Sequence, residues 1–376
     1  MKLFSQDLVE MLNRHGNQIC LVTGRFFLSE LGLLQKLYSF LRYHGFKVYV
    51  FDQIPSEPTD DVIRLGADKF IENNCEALLA VGGGSVMDAA KGMAILAACG
   101  GEIYQYKNLS EFPVNPFPVI AAPTTCGSGS EATRYGVFSN RDPKEKFTIK
   151  STAIIPCEIL LDPQLLSSLP EDELIITAFD ASSHLIETLL FNMASTSDSA
   201  GRCLDGLNII FSTLQEAVET RSEASLACLQ DAAFLAGQII NVERTGLPHT
   251  IGNKISGFMP IKHGLINAIA IPPCLAFLEE KQGEDPLFEN RLTAMNQLLK
   301  SHQLSKESVS AALKAFYQSF PVRFQGKAQF STEVETAIID QTARDAGLFE
   351  ITPKRLKRED LEPVLARVIE AINEDY

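Results

Sequence analysis

The stretch EALLAVGGGSVMDAAK, Glu76 to Lys91, decides the fold of the first half of this chain. Its opening residues form a short apolar run of strand length, and three consecutive glycines follow before a helical pattern begins. Glycine lets the main chain approach a ligand because it has no Cβ, and Ser85 is placed to cap the helix. Two interpretations stay open. The stretch is either a tight turn that happens to be rich in glycine, or a cradle in which main-chain amides and a helix N-terminus hold a phosphate.

Short apolar runs alternate with helical stretches on both sides of this motif. The runs with strand character are QICLVTG (18–24), FKVYVFD (46–52), EALLAV (76–81), FPVIAAPTT (117–125) and, as one further β segment or pair, FTIKSTAIIPCEILLDP (147–163). Helical patterns at 28–45 and 60–74 lie between the first three runs. Such alternation predicts a parallel sheet with right-handed crossovers, and ligands bind at the carboxyl ends of its strands.

The pattern becomes helical in the second half of the chain. Apolar residues recur every three to four positions at 171–191, 225–241 and 358–374, with few strand signals between them. We therefore predict two domains, an α/β domain with a parallel sheet over residues 1–164 and an all-helical domain over residues 165–376. A cleft between two such domains is the expected place for a small-molecule site.

Composition argues against several classes of function. The formal net charge of −14 disfavours nucleic acid or an acidic membrane as the main partner. We identify no apolar run of transmembrane length, and the first residues lack the basic and apolar blocks of a signal peptide. The eight cysteines are scattered without a CxxC pair, as in proteins that keep their thiols reduced. These features predict a cytoplasmic protein.

Three of the six histidines occupy positions suited to a metal site. Asp180 and His184 are four residues apart, so a helix places both side chains on one face. His249 and His263 each stand near the start of a predicted helix, shortly after a proline. A carboxylate together with imidazoles satisfies a divalent metal ion. The alternative is a carboxylate at a helix N-terminus and three histidines with unrelated roles.

Four motifs, in this order, resemble the iron-containing, group III alcohol dehydrogenases. They are GGGSVMDAAK (82–91), PTTCGSGSEAT (123–133), DASSH (180–184) and two histidines fourteen residues apart, the second followed by glycine (249 and 263). The resemblance extends from about Leu21 to the carboxy-terminal helices. It implies a nucleotide-binding domain followed by a helical metal-binding domain, the architecture shared with dehydroquinate synthases.

The resemblance also implies roles for individual residues. The expected metal is iron(II) or zinc, and its expected ligands, which are also the catalytic residues, are Asp180, His184, His249 and His263. The expected cofactor is NADP or NAD. The residues that the resemblance assigns to its binding are Gly82, Gly83, Gly84, Ser85, Asp88, Thr124, Thr125, Ser128 and Lys146. The glycines would bind the pyrophosphate. The loop that contains Thr124, Thr125 and Ser128, called the threonine loop below, would lie on the nicotinamide side.

Some of these roles have plain alternatives. Asp88 could be a first-turn charge that complements the helix dipole, with Lys91 as a solvated lysine on the same helix. Thr124 and Thr125 could be ordinary residues at a strand end.

The reaction that the resemblance implies is hydride transfer. The metal would polarise the oxygen of a small alcohol or aldehyde, and hydride would pass to or from nicotinamide C4. The expected protein is a metal-dependent NAD(P)-linked alcohol dehydrogenase or aldehyde reductase, a homo-oligomer such as a dimer, without a nucleic-acid or membrane partner. The alternatives are a lyase on the same scaffold, resembling dehydroquinate synthase, and a non-catalytic nucleotide- or metal-binding relative.

Three places depart from the family pattern. Asn253 stands where many members carry a histidine assigned to proton transfer, and Lys262 replaces a proline before His263 and adds a cation near the site. Gly24, followed by Arg25, stands where NAD-preferring members have an aspartate. That aspartate would bond the ribose 2′-OH and repel a 2′-phosphate, so we predict that NADPH is used at least as well as NADH. The alternative is a strand-end glycine beside a solvated arginine.

Overall fold

The computed structural model describes residues 1–142 and 144–374. The chain divides into two compact units, Met1–Leu169 and Pro170–Tyr376. The first unit is an α/β domain and the second is helical, so the predicted fold class is confirmed. The boundary that we predict after residue 164 falls inside a short 3-10 turn, Pro163–Leu165, shortly before the first helix of the second unit.

The first unit contains seven strands and five α-helices among its described residues. The strands are β1 Gln18–Gly24, β2 Lys47–Ile54, β3 Ala77–Gly82, β4 Val119–Pro123, β5 Tyr135–Arg141, β6 Lys144–Lys150 and β7 Glu158–Ile159. The helices are α1 Gln6–Asn13, α2 Phe27–Glu30, α3 Leu33–Tyr43, α4 Asp60–Glu72 and α5 Gly84–Cys99. Strands β2, β1, β3, β4 and β7, in that order, form one parallel sheet, and β5 pairs with β6 in a separate antiparallel ribbon.

The strand order explains why the apolar runs are nearly continuous. Every residue of β3 is buried, and so are the five central residues of β1, as expected for strands that are covered on both faces. The chain steps from β1 to β2 on one side and from β3 to β4 on the other. The order therefore reverses between β1 and β3, and in open parallel sheets a ligand binds at the carboxyl end of such a point.

The β segment that we predict at 147–163 is more divided than the prediction. Its first residues belong to β6, a 3-10 turn covers Thr152–Ile154, and only the two residues of β7 join the main sheet beside β4. The partner of β6, β5, was missed. Burial in β5 alternates residue by residue, so only half of its side chains are buried and its apolar signal is weak.

The second unit contains ten α-helices and no strand among residues 170–374. They are α6 Glu171–Leu190, α7 Ser197–Thr220, α8 Glu223–Val242, α9 Leu247–Ile255, α10 His263–Glu280, α11 Pro286–Ser301, α12 Val309–Gln318, α13 Thr332–Ala343, α14 Ala346–Ile351 and α15 Leu361–Asn373. Helices α6 and α10 form its centre, because both are buried along most of their length and pack against each other.

Helix α8 corrects one statement made from the sequence. It is long and apolar enough, by length and composition alone, to cross a membrane, whereas we identified no run of that length. Half of its most apolar window is buried in the structure, where it packs against α6 and α7. The core helix of a globular domain meets the same criterion, so this feature by itself is weak grounds for a membrane span.

Candidate metal centre and cofactor loops

Helix α6 carries the first two predicted metal ligands on one buried face. Asp180 and His184 are separated by about one helical turn, and only 6% and 5% of their surfaces are exposed. The helix begins with three acidic residues in its first turn, which complement the helix dipole. Because α6 packs against α7, α8 and α10, these two polar side chains lie inside the unit. A buried carboxylate and imidazole need a partner to offset desolvation.

Helices α9 and α10 bring the other two histidines to the same place. His249 lies in the first turn of α9 and is buried, whereas His263 begins α10 with 45% of its side chain exposed. Asp180 Oδ1 lies 3.9 Å from His249 Nε2 and 3.6 Å from His263 Nε2. One ligand atom each of Asp180, His184 and His249 lie within 4.8 Å of one another. The structure therefore gathers all four side chains around one point.

The donor set at this point fits a divalent transition-metal ion. One carboxylate and several imidazoles are the oxygen and nitrogen ligands that iron(II) and zinc accept. Burial alone would raise the pKa of Asp180, but the imidazoles of His184, His263 and His249 hold that pKa below its ordinary value. The carboxylate is therefore ionised at neutral pH, as a metal ligand must be.

Glu187 is a polar residue of this centre that the sequence analysis missed. It is fully buried on α6, three residues after His184. Its Oε2 accepts the main-chain N–H groups of Gly246 at 2.9 Å and His249 at 3.1 Å, and its Oε1 accepts from His249 Nδ1. With Nδ1 donating, Nε2 of the neutral ring carries the lone pair and faces Asp180. The available signal was an acidic residue inside the apolar run HLIETLLF.

Lys262 does not stand as a free cation beside the site. Its ammonium lies 2.7 Å from Asp172 Oδ2 and 2.7 Å from Glu173 Oε1, both in the first turn of α6. The pair of contacts links the start of α10 to the start of α6. Asn253 lies exposed on α9.

The predicted cofactor segments lie together at the carboxyl end of the parallel sheet. Gly24 ends β1, Gly82 ends β3, and Thr124 follows β4 directly. The main-chain N–H of Thr124 donates to the carbonyl of Gly82 at 3.0 Å, which joins the two loops. Because β1 and β3 flank the reversal of strand order, these loops occupy the place where such sheets bind ligands.

Close approach to the loop after β4 explains two of the three consecutive glycines, Gly83 and Gly84. A Cβ on Gly84 would lie 2.7 Å from Ser128 Oγ, and one on Gly83 would lie 3.2 Å from Thr125 Cγ2. The expectation that Ser85 caps the helix was wrong, since α5 already begins at Gly84 with Gly83 as N-cap. The Ser85 hydroxyl instead donates to the carbonyl of Ser56.

Lys91 is buried, so its interpretation as a solvated lysine was wrong. Its ammonium donates to the carbonyls of Ser130 at 2.7 Å, Thr133 at 3.0 Å and Tyr135 at 2.6 Å. Burial lowers the pKa of Lys91 to about 8, although the nearby Asp88 raises it. This one side chain fastens the segment after the threonine loop to helix α5.

Asp88 completes the same network. Its carboxylate accepts from Ser130 Oγ at 2.6 Å and from the main-chain N–H of Val137 at 3.0 Å. Burial raises the pKa of Asp88, and it raises the pKa of the neighbouring Glu131 to about 7. Both carboxylate oxygens of Asp88 are thus engaged within the protein, at the base of the cofactor loops.

Two predicted cofactor residues lie on the surface. The Arg25 guanidinium is exposed, and its Nε donates at 3.4 Å to the carbonyl of Gln53 near the end of β2. Lys146 is exposed on β6 and lies 3.5 Å from Glu57. Both side chains are exposed, so both cations are accessible to solvent.

Fold and donor set together define a class, an α/β domain with a parallel sheet followed by a helical domain that carries a carboxylate–imidazole cluster. The chain belongs to the iron-containing alcohol dehydrogenase family. The model named iron-containing alcohol dehydrogenase matches residues 5–163, and the model of the carboxy-terminal part of that family matches residues 174–369. The protein is therefore an oxidoreductase, and the lyase and non-catalytic alternatives are not favoured.

Individual relatives agree with this assignment. The NAD-dependent methanol dehydrogenase of Bacillus methanolicus is 30% identical over 267 residues, 71% of this chain and 70% of that protein. The 1,3-propanediol dehydrogenase of Klebsiella pneumoniae is 32% identical over 260 residues, 68% of this chain and 67% of that protein. Among solved structures, an archaeal halo-thermophilic alcohol dehydrogenase from a Red Sea brine pool has a TM-score of 0.85 at 24% identity. That alignment covers 98% of this chain and 95% of the other, and it shows the fold.

Proposed function

We propose that Asp180, His184, His249 and His263 hold a divalent metal ion, iron(II) or zinc, in a dehydrogenase for small alcohols and aldehydes. The observation that carries the proposal is the convergence of a buried carboxylate with three imidazoles from α6, α9 and α10. When bound, such an ion polarises the substrate oxygen, which favours hydride transfer to or from a nicotinamide ring.

The residues of the chain hold and orient the reacting groups. Glu187 keeps His249 with its Nε2 lone pair facing the centre. His263 is the half-exposed member of the set and marks the side from which a substrate reaches it. The imidazoles act as ligands and are poor general bases, and Asn253 cannot titrate. The proton of the alcohol would therefore pass to solvent or to a hydroxyl of the bound cofactor.

We propose that the cofactor site is formed by the residues that the resemblance assigns to it, Gly82, Gly83, Gly84, Ser85, Asp88, Thr124, Thr125, Ser128 and Lys146. The placement of their loops at the reversal of strand order supports this. We propose that the protein uses NADPH at least as well as NADH. Gly24 leaves the end of β1 without a carboxylate, and Arg25 offers an exposed guanidinium.

We also propose that the protein is cytoplasmic and forms a homo-oligomer. No disulfide joins any of the eight cysteines, all of which the structure describes, and this suits the reducing cytoplasm. A homo-oligomeric state, such as a dimer, follows from the family resemblance alone.

The test begins with metal analysis of the purified protein and reconstitution with Fe²⁺ or Zn²⁺. A panel of small aldehydes is then assayed with NADH and with NADPH. We expect turnover that chelation abolishes, and a loss of at least about 100-fold in Asp180→Asn, because metal polarisation supplies several kcal/mol in such reactions. Reconstituted protein that binds the metal but oxidises neither cofactor with any aldehyde would contradict the proposal.

A further inference from the structure

A single buried amide touches three of the four side chains in the proposed metal centre. Asn267 lies on α10, one turn after His263, and has no exposed surface. Its Nδ2 lies 3.2 Å from Asp180 Oδ1, 2.9 Å from His249 Nε2 and 3.1 Å from His263 Nε2. The amide therefore stands next to the atoms that would bind the ion.

The surroundings determine which end of the amide faces the centre. The ionised Asp180 carboxylate can only accept, and Nε2 of a neutral His249 ring carries a lone pair when Nδ1 donates to Glu187. An inward oxygen would place its own lone pairs against these acceptors. On the other side, Asn267 Oδ1 has no hydrogen-bond partner within the described part of the chain. The nitrogen-inward arrangement is thus the one that the neighbours support.

We propose that Asn267 is a positioning residue of the metal centre. Its two N–H groups are shared among the acceptor atoms of Asp180, His249 and His263 and favour the imidazole tautomer with an Nε2 lone pair. Without a donor at this place, a carboxylate oxygen and two nitrogen lone pairs would repel one another in a buried space. A metal ion uses the same lone pairs, so the amide prepares its binding site in advance. The inference rests on the proposed function, because it takes these residues as ligands.

A purely structural role is the competing explanation, and Asn192 offers a matched control. Asn192 is also a buried asparagine of the helical unit, and both ends of its amide are engaged, with Arg244 O and Ala194 N each at 3.0 Å. These two hydrogen bonds of the Asn192 amide do not involve a proposed metal ligand. Asn192→Leu therefore reports the cost of losing a buried amide without changing the metal centre.

The test uses Co²⁺ as the probe on the full-length, metal-stripped protein. Its Kd is measured by chelator competition, and its geometry by visible absorption, without substrate or cofactor. We expect Asn267→Leu to raise the Kd by about 10-fold or more, the usual effect of losing a group that orients a ligand, and to alter the absorption band. Asn192→Leu should leave both unchanged. Equal or tighter binding in Asn267→Leu overturns the inference, and so does an equal loss in Asn192→Leu.

Gly252→Ala is a second variant that keeps the amide but moves it. A Cβ on Gly252 would lie 2.8 Å from Asn267 Oδ1, so the amide must shift. We expect a smaller rise in the Co²⁺ Kd together with a changed absorption band, and an unchanged Kd and band would overturn the inference even if Asn267→Leu does not fold. Measurements on the wild type distinguish a failure of this inference from a failure of the proposed function. A wild type that binds no Co²⁺, or an Asp180→Asn variant that binds it as tightly, overturns both.

Discussion

The end of strand β1 has room for a Cβ at Gly24, the residue that we propose to decide cofactor choice. A Cβ there would meet its nearest atoms, Ile54 O and Val86 Cγ2, at 3.8 and 3.9 Å, which are ordinary contact distances. A side chain can therefore begin at this position without a clash at its Cβ. We expect Gly24→Asp to lower kcat/KM with NADPH by about 10-fold or more relative to NADH, because a carboxylate repels the 2′-phosphate.

Gly24→Asn is the control for this change, since it adds the same volume without charge. It should alter the cofactor ratio far less than Gly24→Asp. If the wild type prefers NADH tenfold or more, and the aspartate changes nothing, the argument from Gly24 and Arg25 is wrong.

At the proposed metal centre, we expect the protonation pattern of His249 to depend on the carboxylate of Glu187. In Glu187→Gln, one oxygen can still accept from the main chain, but the amide N–H₂ then faces Nδ1 and favours its lone pair. Nε2 would carry the proton and could not bind a metal ion. We expect Co²⁺ affinity to fall about 10-fold to 100-fold with little change in volume. Retention of wild-type affinity in the folded variant would show that Glu187 does not control this ring.

At the scale of elements, we expect the proposed cofactor site to depend on how closely α5 approaches the loop after β4. Gly84→Ala would place its new Cβ 2.7 Å from Ser128 Oγ and 3.0 Å from Ser128 Cβ, so Ser128 must shift. We expect a rise of about 10-fold in the Kd of NADPH or NADH, measured by fluorescence of the reduced cofactor, because displacement by tenths of an ångström disturbs a preorganised site.

Gly83→Ala provides the comparison for the same loop. Its Cβ would lie 3.2 Å from Thr125 Cγ2, which a small side-chain adjustment relieves. Its effect on cofactor affinity should therefore be clearly smaller. Equal effects of the two substitutions would mean that loop contact is not what requires glycine.

Secondary structure followed the local pattern closely in β1 and α6, but not in the apolar segment 147–163. Strand β1 has the bounds of its apolar run, and α6 ends one residue before its pattern does. Strand β5 was missed because half of its residues face away from the core, and the N-cap of α5 was misplaced by two residues. Both errors arise where tertiary contacts, with β6 and with the Ser128 loop, outweigh the local signal.

At the scale of the whole molecule, the buried ammonium of Lys91 makes stability depend on pH. Its folded-state pKa of about 8 lies below the ordinary value of 10.5, so between these values the unfolded chain binds more protons than the folded one. The free energy of unfolding therefore rises with pH in that window. The stability gained when Lys91 is buried as the neutral amine is complete above about pH 10.5, and it is lost as the pH falls through about 8.

Lys91→Met should remove this dependence. The free energy of unfolding of the wild type minus that of the variant should increase by about 2 kcal/mol from pH 8 to about pH 9.5, because only the wild type gains stability as the pH rises. Urea unfolding followed by circular dichroism at both pH values measures it. A difference that stays constant over this range would show that the Lys91 ammonium is not penalised by burial.

The sequence by itself determined the order of the two domains and the strand–glycine–helix motif, because these are local patterns along the chain. Spacing placed Asp180 and His184 on one helix face, and the family resemblance added His249 and His263 as expected ligands. Only the tertiary structure decided what lies against them. Glu187 meets His249 across 62 residues, and Lys91 meets Ser130 across 39. Their roles could not be read from spacing because a buried polar group takes its function from the partners that packing brings to it.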